Sequence, residues 1–334
     1  MNETNKHNKE KELDDLFSGN SKNNLTKVVK KAKRMTFLRN VAITLGVILL
    51  LSILLSYTWL SIMRNNEQQA IDDIVIFNRI TDPNVELLGS QSESNGIFEG
   101  LLTFNRYKEV EGIPVNWSDD VFTYSLFGGV SRLVGDHAPI QIQDQKDGLI
   151  RYYDRETKQR MLHFYHPEIQ YSQIRQDLRM IGDFSDDTLL EVGLSFNKAY
   201  TVEEVREAIP DSLSLKWYWV DTYSDSEIKT TNQLEKTTEL ATEIYGFAED
   251  PTDPKNSVKN FVSDVKMGLE REDGKYFGEF TRINNNLRGD SAVLSDADVK
   301  ISGAVVTGTA VDVGLLQDVE MVRASVLGVA VNSY

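Results

Sequence analysis

Residues 41–63 read VAITLGVILLLSILLSYTWLSIM, 23 positions without one charged side chain. At ~1.5 Å of rise per residue a helix of that length reaches ~34 Å, enough to cross a hydrocarbon core of ~30 Å with modest tilt. Buried helices of soluble cores are usually shorter and carry some polar residues, so the run reads as a membrane span. A cleaved signal peptide fits poorly: its apolar core runs to ~7–15 residues and small residues follow it. Here Arg64, Asn65, Asn66 and Glu67 come next. The run predicts an uncleaved signal anchor.

The flanks predict its orientation. Lys27, Lys30, Lys31, Lys33, Arg34 and Arg39 crowd the amino side, whereas Arg64 stands nearly alone on the other before Glu67, Asp72 and Asp73. Basic residues close to a span are retained in the cytoplasm, and Tyr and Trp collect at the interfaces. The amino terminus is therefore expected inside and the carboxy-terminal part outside. Lys30, Lys31, Lys33, Arg34, Arg39, Tyr57 and Trp59 are the expected membrane-flanking residues.

The chain carries a net charge of −15, divided by the span. Residues 1–40 hold ten Lys and Arg against five Asp and Glu, a balance of +5, and residues 64–334 hold 26 basic and 46 acidic residues, a balance of −20. The basic tail suits an anionic inner leaflet, where each surface-near Lys or Arg is worth ~1 kcal/mol. The acidic part is a poor match for nucleic acid. Its 271 residues suffice for two ordinary domains or one large one. Zero cysteines exclude disulfides, iron–sulfur ligation and thiolate zinc sites.

Within the tail, residues 1–12 are polar without apolar periodicity and read as disordered until something binds. Leu13, Leu16 and Phe17 then fall at i, i+3 and i+4, before Ser18, Gly19, Asn20 and Ser21 break the pattern. A second stripe, Leu25, Val28, Val29, Ala32 and Met35, lies opposite lysines and is expected to run into the span as one helix. Two readings fit these residues. An apolar face on a tail too short for a core can dock on a cytoplasmic partner, through Leu13, Leu16, Phe17, Leu25, Val28, Val29 and Ala32. It can equally be a basic juxtamembrane helix lying on lipid, and spacing alone favours that second reading.

Beyond the span, residues 67–80 read as a helical stalk, with Ala70, Ile71, Ile74, Val75 and Phe77 at helical spacing and Pro83 as its end. Residues 85–165 are short runs rich in Val, Ile, Tyr, Phe and Thr between Gly and Pro, which is β territory. Strands are expected at 97–107, 121–126, 149–154 and 159–165, the last two as a hairpin. From Pro167 onward helices and strands alternate. The pattern predicts helices at 169–180, after a Thr201 cap with Glu204 three residues on, at 234–244, 257–270 and 311–316, and strands at 189–196, 213–223, 299–307 and 322–331. Residues 190–223 and 299–331 repeat one plan of strand, turn, short helix and strand. Two such βαβ or split βαβ units can form a ferredoxin-like or related α/β sandwich.

The chain shows no chemistry of its own by motif. His163 and His166 are the close pair among His7, His137, His163 and His166, but on a strand an i, i+3 spacing sends them to opposite faces, and Pro167 bars a helix. Asp183, Asp186 and Asp187 lack calcium-loop spacing and read as a solvated turn. GAVVTGTAVDVG (303–314) has glycines at the wrong intervals to cradle a phosphate. Trp217, Tyr218 and Trp219 read as core on one strand face and cover on the other. No catalytic, cofactor-binding or metal-ligating residue is assigned, and no cofactor is expected.

Several separated segments, in order, carry a resemblance: KVVKKAKRMTFLRN (27–40) before the span, PIQIQDQKDGLIRYYDRETKQRMLHFYHP (139–167), KWYWVDTY (216–223), GAVVTGTAVDVGLLQ (303–317) and VRASVLGVAV (322–331). Together they resemble the membrane-anchored sigma-factor regulators of low-GC Gram-positive bacteria, which pair an N-terminal with a C-terminal regulator domain. The resemblance implies an anti-sigma factor: a cytoplasmic tail that holds an extracytoplasmic-function sigma factor, one span, and an outer domain that senses envelope state. Zinc-type anti-sigma domains use an H-x-x-x-C-x-x-C signature, which this cysteine-free chain lacks, and the family supplies no catalytic residues. The alternative is an anchored envelope protein whose outer domain contacts wall, lipid or another membrane protein without holding a sigma factor.

The expected fold is α+β: a single transmembrane helix followed by an extracytoplasmic β-rich region and a βαβ-containing α/β sandwich. The expected boundaries are a basic tail at 1–40, the span at 41–63, a helical stalk at 64–83, the β-rich region at 84–166 and a regulator C-terminal domain at 167–334.

Overall fold

The computed structural model describes residues 9–11, 14, 19–135, 138–145, 147–234, 236–250 and 252–332. The chain divides into two units, Met1–Met63 and Arg64–Tyr334. The apolar run lies in one helix, α1 (Gly19–Asn78), and none of its most apolar window is buried. Three hydroxyls of the run are satisfied inside the helix: Thr44, Ser52 and Thr58 donate to the carbonyls of Asn40, Ile48 and Leu54 at 2.9, 2.8 and 2.9 Å. A helix that meets its own polar demand suits a solvent that offers no hydrogen bonds. The break expected at Gly19–Ser21 is absent, since these residues are helical. A single glycine costs a helix ~1 kcal/mol, which an already nucleated helix tolerates. Residues 9–11 are helical as well, where disorder was expected. Leu13, Leu16 and Phe17 lie outside the described residues.

In the second unit the chain turns at Asp82 and Asn84, both at positive φ, around Pro83. It then builds β1 (Glu86–Ser94), β2 (Glu99–Val110), β3 (Ile113–Ser125) and β4 (Val130–Val134), an antiparallel meander in that spatial order. Burial alternates along the whole of β2, as a strand with one inward face requires. A hairpin of β5 (Ile140–Gln143) and β6 (Ile150–Tyr153) follows, then the short β7 (His163–Phe164).

The rest alternates: β8 (Leu189–Tyr200), α2 (Val202–Ala208), β9 (Ser214–Val220), α3 (Asp225–Gln233), β10 (Glu239–Leu240), β11 (Gly246–Ala248), α4 (Ser257–Leu269), α5 (Phe277–Arg288), β12 (Ile301–Thr309), α6 (Ala310–Gly314) and β13 (Val322–Val331). The main sheet runs β11-β9-β12-β8-β13, with every neighbour antiparallel. Hence β8 and β9 are parallel with β12 between them, and β12 and β13 are parallel with β8 between them. These are two interleaved split βαβ units, the ferredoxin-like arrangement. Where a hairpin would join β9 to β12, residues 221–300 supply α3, β10, β11, α4 and α5. The protein is thus α+β, a long apolar helix ahead of a β-rich unit.

Alternation on the sheet makes two cores. Leu190, Val192, Leu194 and Phe196 of β8 face Val205, Phe261, Val265, Phe280 and Val313 of the helices. Trp217, Trp219 and Val305 face Leu162, Phe164 and Ile244 on the other side. Tyr218 belongs to the first core, so the Trp-Tyr-Trp strand is buried on both faces.

Three local expectations are corrected. Residues 169–176 are not helical; only a 3-10 turn, Asp177–Asp183, forms. Gln176 instead bridges Ser325 in parallel, and Arg175 and Asp177 are buried beside β13, so tertiary pairing overrides the apolar spacing. No α-helix spans 234–244, because Glu239 and Leu240 pair with β7. The helix lies upstream, as α3, behind a Ser224/Glu227 capping box. Helix α5 was not expected at all, although Phe280, Ile283 and Leu287 repeat at helical spacing and Gly289 stops it at positive φ.

Buried charges tie these parts together. Lys108 Nζ donates to both carboxylate oxygens of Glu191, at 2.8 and 3.0 Å, and lies 4.4 Å from the Trp117 ring centroid. Arg151 grips Asp177 with two bonds of 2.9 and 3.0 Å, linking the β5–β6 hairpin to the Leu327 amide that donates to the same carboxylate. Lys108→Met leaves the Glu191 charge buried without its counter-ion, a loss of about 3–5 kcal/mol for a broken buried pair. Denaturant unfolding of the detergent-solubilised chain, followed by tryptophan fluorescence, checks it; a loss under about 1 kcal/mol contradicts the assignment.

Candidate functional site

The first candidate surface is the amino-terminal part of α1. Leu25, Val28 and Val29 are 61%, 64% and 48% exposed, and Ala32 is exposed beside them. At about 100° per residue they form one stripe, with Lys27, Lys30 and Arg34 on the other side. Lys31, Lys33, Arg39 and Tyr57 are exposed too, and Trp59 is half-buried. Among the described residues of its own unit the stripe covers nothing.

The second candidate is in the carboxy-terminal unit, where the end of α1 is clasped. Ala70, Ile74 and Ile80 are buried to 1%, 0% and 0% exposure. Phe77 stacks flat on Tyr276 at 3.7 Å between centroids and meets Phe280 and Tyr245 edge-on. Arg271 donates to the Asp73 carboxylate, and the Lys275 amide donates to its other oxygen at 3.1 Å. Arg79 pairs with Asp264 at 3.1 Å; burial pushes the Asp264 carboxyl up, against the pull of Arg79. Sequence spacing finds Ala70, Ile74 and Phe77, whereas nothing local marks Arg271 as the partner of Asp73, 198 positions away.

Beside this clasp opens a cleft of about 810 Å³, lined among others by Asp82, Asn84, Glu109, Lys216, Trp217 and Phe247. Its size is that of a small-molecule site, with aromatic walls and a few convergent polar groups. Lys216 Nζ donates to Glu109 at 2.5 Å. Although partial burial raises the Glu109 carboxyl, Lys216 and the Gly112 amide outweigh it and hold it below its ordinary range. An ion pair in the wall of such a cleft can take a zwitterionic or hydrogen-bonding ligand.

The two histidines part as the strand geometry predicts. His163 is buried between Tyr152 and Tyr165, and His166 sits against Trp219 and Tyr223 with Nε2 3.1 Å from Asp221. Among the described residues no group of three or more His, Asp or Glu side chains is placed to hold a metal ion. Nearby, Tyr171 and Tyr223 donate to the buried Glu239 carboxylate at 3.0 and 2.6 Å; burial and that charge push both phenols up, so they remain donors.

Two family models match the chain. The sigma factor regulator N-terminal model matches residues 26–115, from the apolar stripe through the apolar run to the start of β3, and the sigma factor regulator C-terminal model matches residues 181–329, which takes in the interleaved sheet but for the last two residues of β13. This chain belongs to the sigma factor regulators. Comparison with curated proteins and with solved structures found no match. The regulator's role at family level is therefore anti-sigma regulation of transcription, a regulatory rather than an enzymatic class, and it carries a helix long and apolar enough to be membrane-spanning.

Burial, reinforced by the charges of Arg175 and Arg151, lowers the His163 pKa to about 3. The unfolded imidazole protonates near pH ~6.5. Between those values the unfolded regulator binds the extra proton, so stability falls as pH drops from about 6.5 towards 3, by ~1.4 kcal/mol per unit from this residue. His163→Phe, which keeps the ring contacts, is expected to flatten that slope in acid titrations followed by circular dichroism; an unchanged profile refutes it.

Proposed function

We propose that the protein is a single-pass anti-sigma factor with its amino terminus in the cytoplasm and residues 64–334 outside. It holds an extracytoplasmic-function sigma factor through Leu13, Leu16, Phe17, Leu25, Val28, Val29 and Ala32. The observation that carries this reading is the exposed apolar stripe of Leu25, Val28, Val29 and Ala32 on a basic helix with no core to bury it. All but Leu25 of that stripe lies within the segment matched by the regulator N-terminal model.

The outer unit then senses the envelope. The split of charge across the span, basic before it and acidic after it, supports this orientation. Release by cutting within residues 64–80 requires that the clasp open first, because a protease needs extended, accessible backbone and Ala70, Ile74 and Ile80 are packed away in a helix and its end. The cleft beside the clasp is where a ligand would act on Arg79, Asp264 and the turn at Asp82. That cleft also favours the alternative, an envelope ligand-binding protein whose tail merely anchors it.

Residues 1–40 on a solid support are expected to retain a sigma factor from a lysate of the source organism, and Val28→Asp with Val29→Asp to abolish retention. In cells, Phe77→Ala with Arg271→Ala is expected to raise sigma-dependent promoter activity by loosening the clasp. Replacing residues 1–40 by an unrelated basic tail discriminates between the readings: unchanged promoter activity sinks the anti-sigma assignment and leaves the anchored binding protein.

A further inference from the structure

The meander ends in two tips that share one apolar surface. Ile97 and Phe98 in the β1–β2 turn and Phe127 in the β3–β4 turn are 68%, 56% and 85% exposed. The two phenyl rings lie 6.4 Å apart and nearly parallel, and the Leu126 amide donates to the Phe98 carbonyl at 2.8 Å, so the tips form one unit. Gly96 and Gly128, at φ +100° and +83°, give the turns a conformation that residues with a Cβ rarely adopt. Hairpin tips are ordinarily polar, and the surrounding unit is strongly acidic. Three large apolar side chains together at such a place mark an interaction surface.

Its position identifies the partner. Asn66 Nδ2 donates to the carbonyls of Ser125 and Leu126 at 2.9 and 3.0 Å, and the Tyr124 hydroxyl donates to Glu67 at 3.2 Å. The β3–β4 tip is therefore bound to residues 66 and 67. Asn66 follows the end of the apolar run by three residues, which reach ~11 Å at full extension. The headgroup layer is ~5–8 Å deep on each side of the hydrocarbon. Residues 63–66 lie within α1, so at ~1.5 Å per residue Asn66 stands only ~4.5 Å past the apolar run, and the tip it holds lies at the bilayer surface if residues 41–63 span it; the inference rests on that reading.

We propose that Ile97, Phe98 and Phe127 form a wedge that inserts into the outer interfacial layer of the membrane and seats the carboxy-terminal unit on the lipid. Apolar side chains on a rigid tip bind a bilayer by burying their area at the acyl boundary. Glu93 and Glu99, exposed on β1 and β2 beside the tip, stay in water and limit the depth. Seating fixes the unit's height and tilt against the same surface through which its helix emerges, so lipid packing itself becomes an input to the clasp around Phe77.

The absence of cysteine gives a clean background for site-directed labels. The full chain, carrying a nitroxide at Phe98→Cys or Phe127→Cys, is reconstituted into phosphatidylcholine–phosphatidylglycerol vesicles, with Leu50→Cys as the span reference and Leu234→Cys as the aqueous one. Collisions with oxygen and with a water-soluble nickel chelate are compared. Labels at 98 and 127 are expected to collide with nickel several-fold less often than the label at 234, and with oxygen more often. If they match position 234 while position 50 is lipid-like, the wedge is wrong and the span stands. If position 50 is itself open to nickel, the span reading fails and the wedge with it. Shielding of 98 and 127 from both reagents signifies burial against protein, which also overturns the proposal.

Discussion

The carboxylate of Glu191 is the junction on which the carboxy-terminal unit depends. It is fully buried on β8 and accepts from Lys108 of the meander, from Asn84 in the turn after α1, and from the Val329 amide of β13. Three separately built parts thus meet at one charge. A Cβ at Gly328 would fall 2.2 Å from its Oε2, so the close approach of β13 depends on glycine there. Buried ion pairs stabilise little relative to apolar replacements and cost much when halved. The effect is selective: any packing of meander on sheet that leaves Lys108 or Glu191 alone is heavily penalised.

Much of this architecture was legible in the sequence, and the failures have local causes. The apolar run, the Thr201/Glu204 box and the strands ending the chain follow from charge, capping and period, which act over a few residues. The two strand–helix–strand units were readable as a repeat of pattern, and of the insertion between them the helix at 257–269 was readable, while α3 and α5 were not. The helix expected at 169–180 failed because Arg175 and Asp177 are held by Asp147, Arg151 and Leu327, none of which is near in sequence. Helix α3 was missed although Ser224 and Glu227 announce it. The clasp was half legible: Phe77 and Ile74 lie on a periodic face, while Arg271 and Tyr276 sit in a connection with no pattern.

The site follows the same division. An apolar stripe on a basic tail can be found by spacing, since it depends on one helix only. The cleft cannot, because Asn84, Glu109, Lys216 and Phe247 come from four distant places and are joined only by the fold. Surfaces assembled from turns and strand edges have no sequence period to betray them.

The interleaved sheet also sets a timetable. β8 lies between β12 and β13, so neither of its edges can be paired until residues about 110 positions later exist. At ~5–20 residues per second, synthesis leaves that strand unpartnered for roughly 5–20 s. During the wait its leucines have no sheet to join, although Lys108, made earlier, is already available to Glu191, and two open strand edges invite pairing with any extended chain. The nascent chain is therefore a client for holding factors at the very strand that later carries the Glu191 junction.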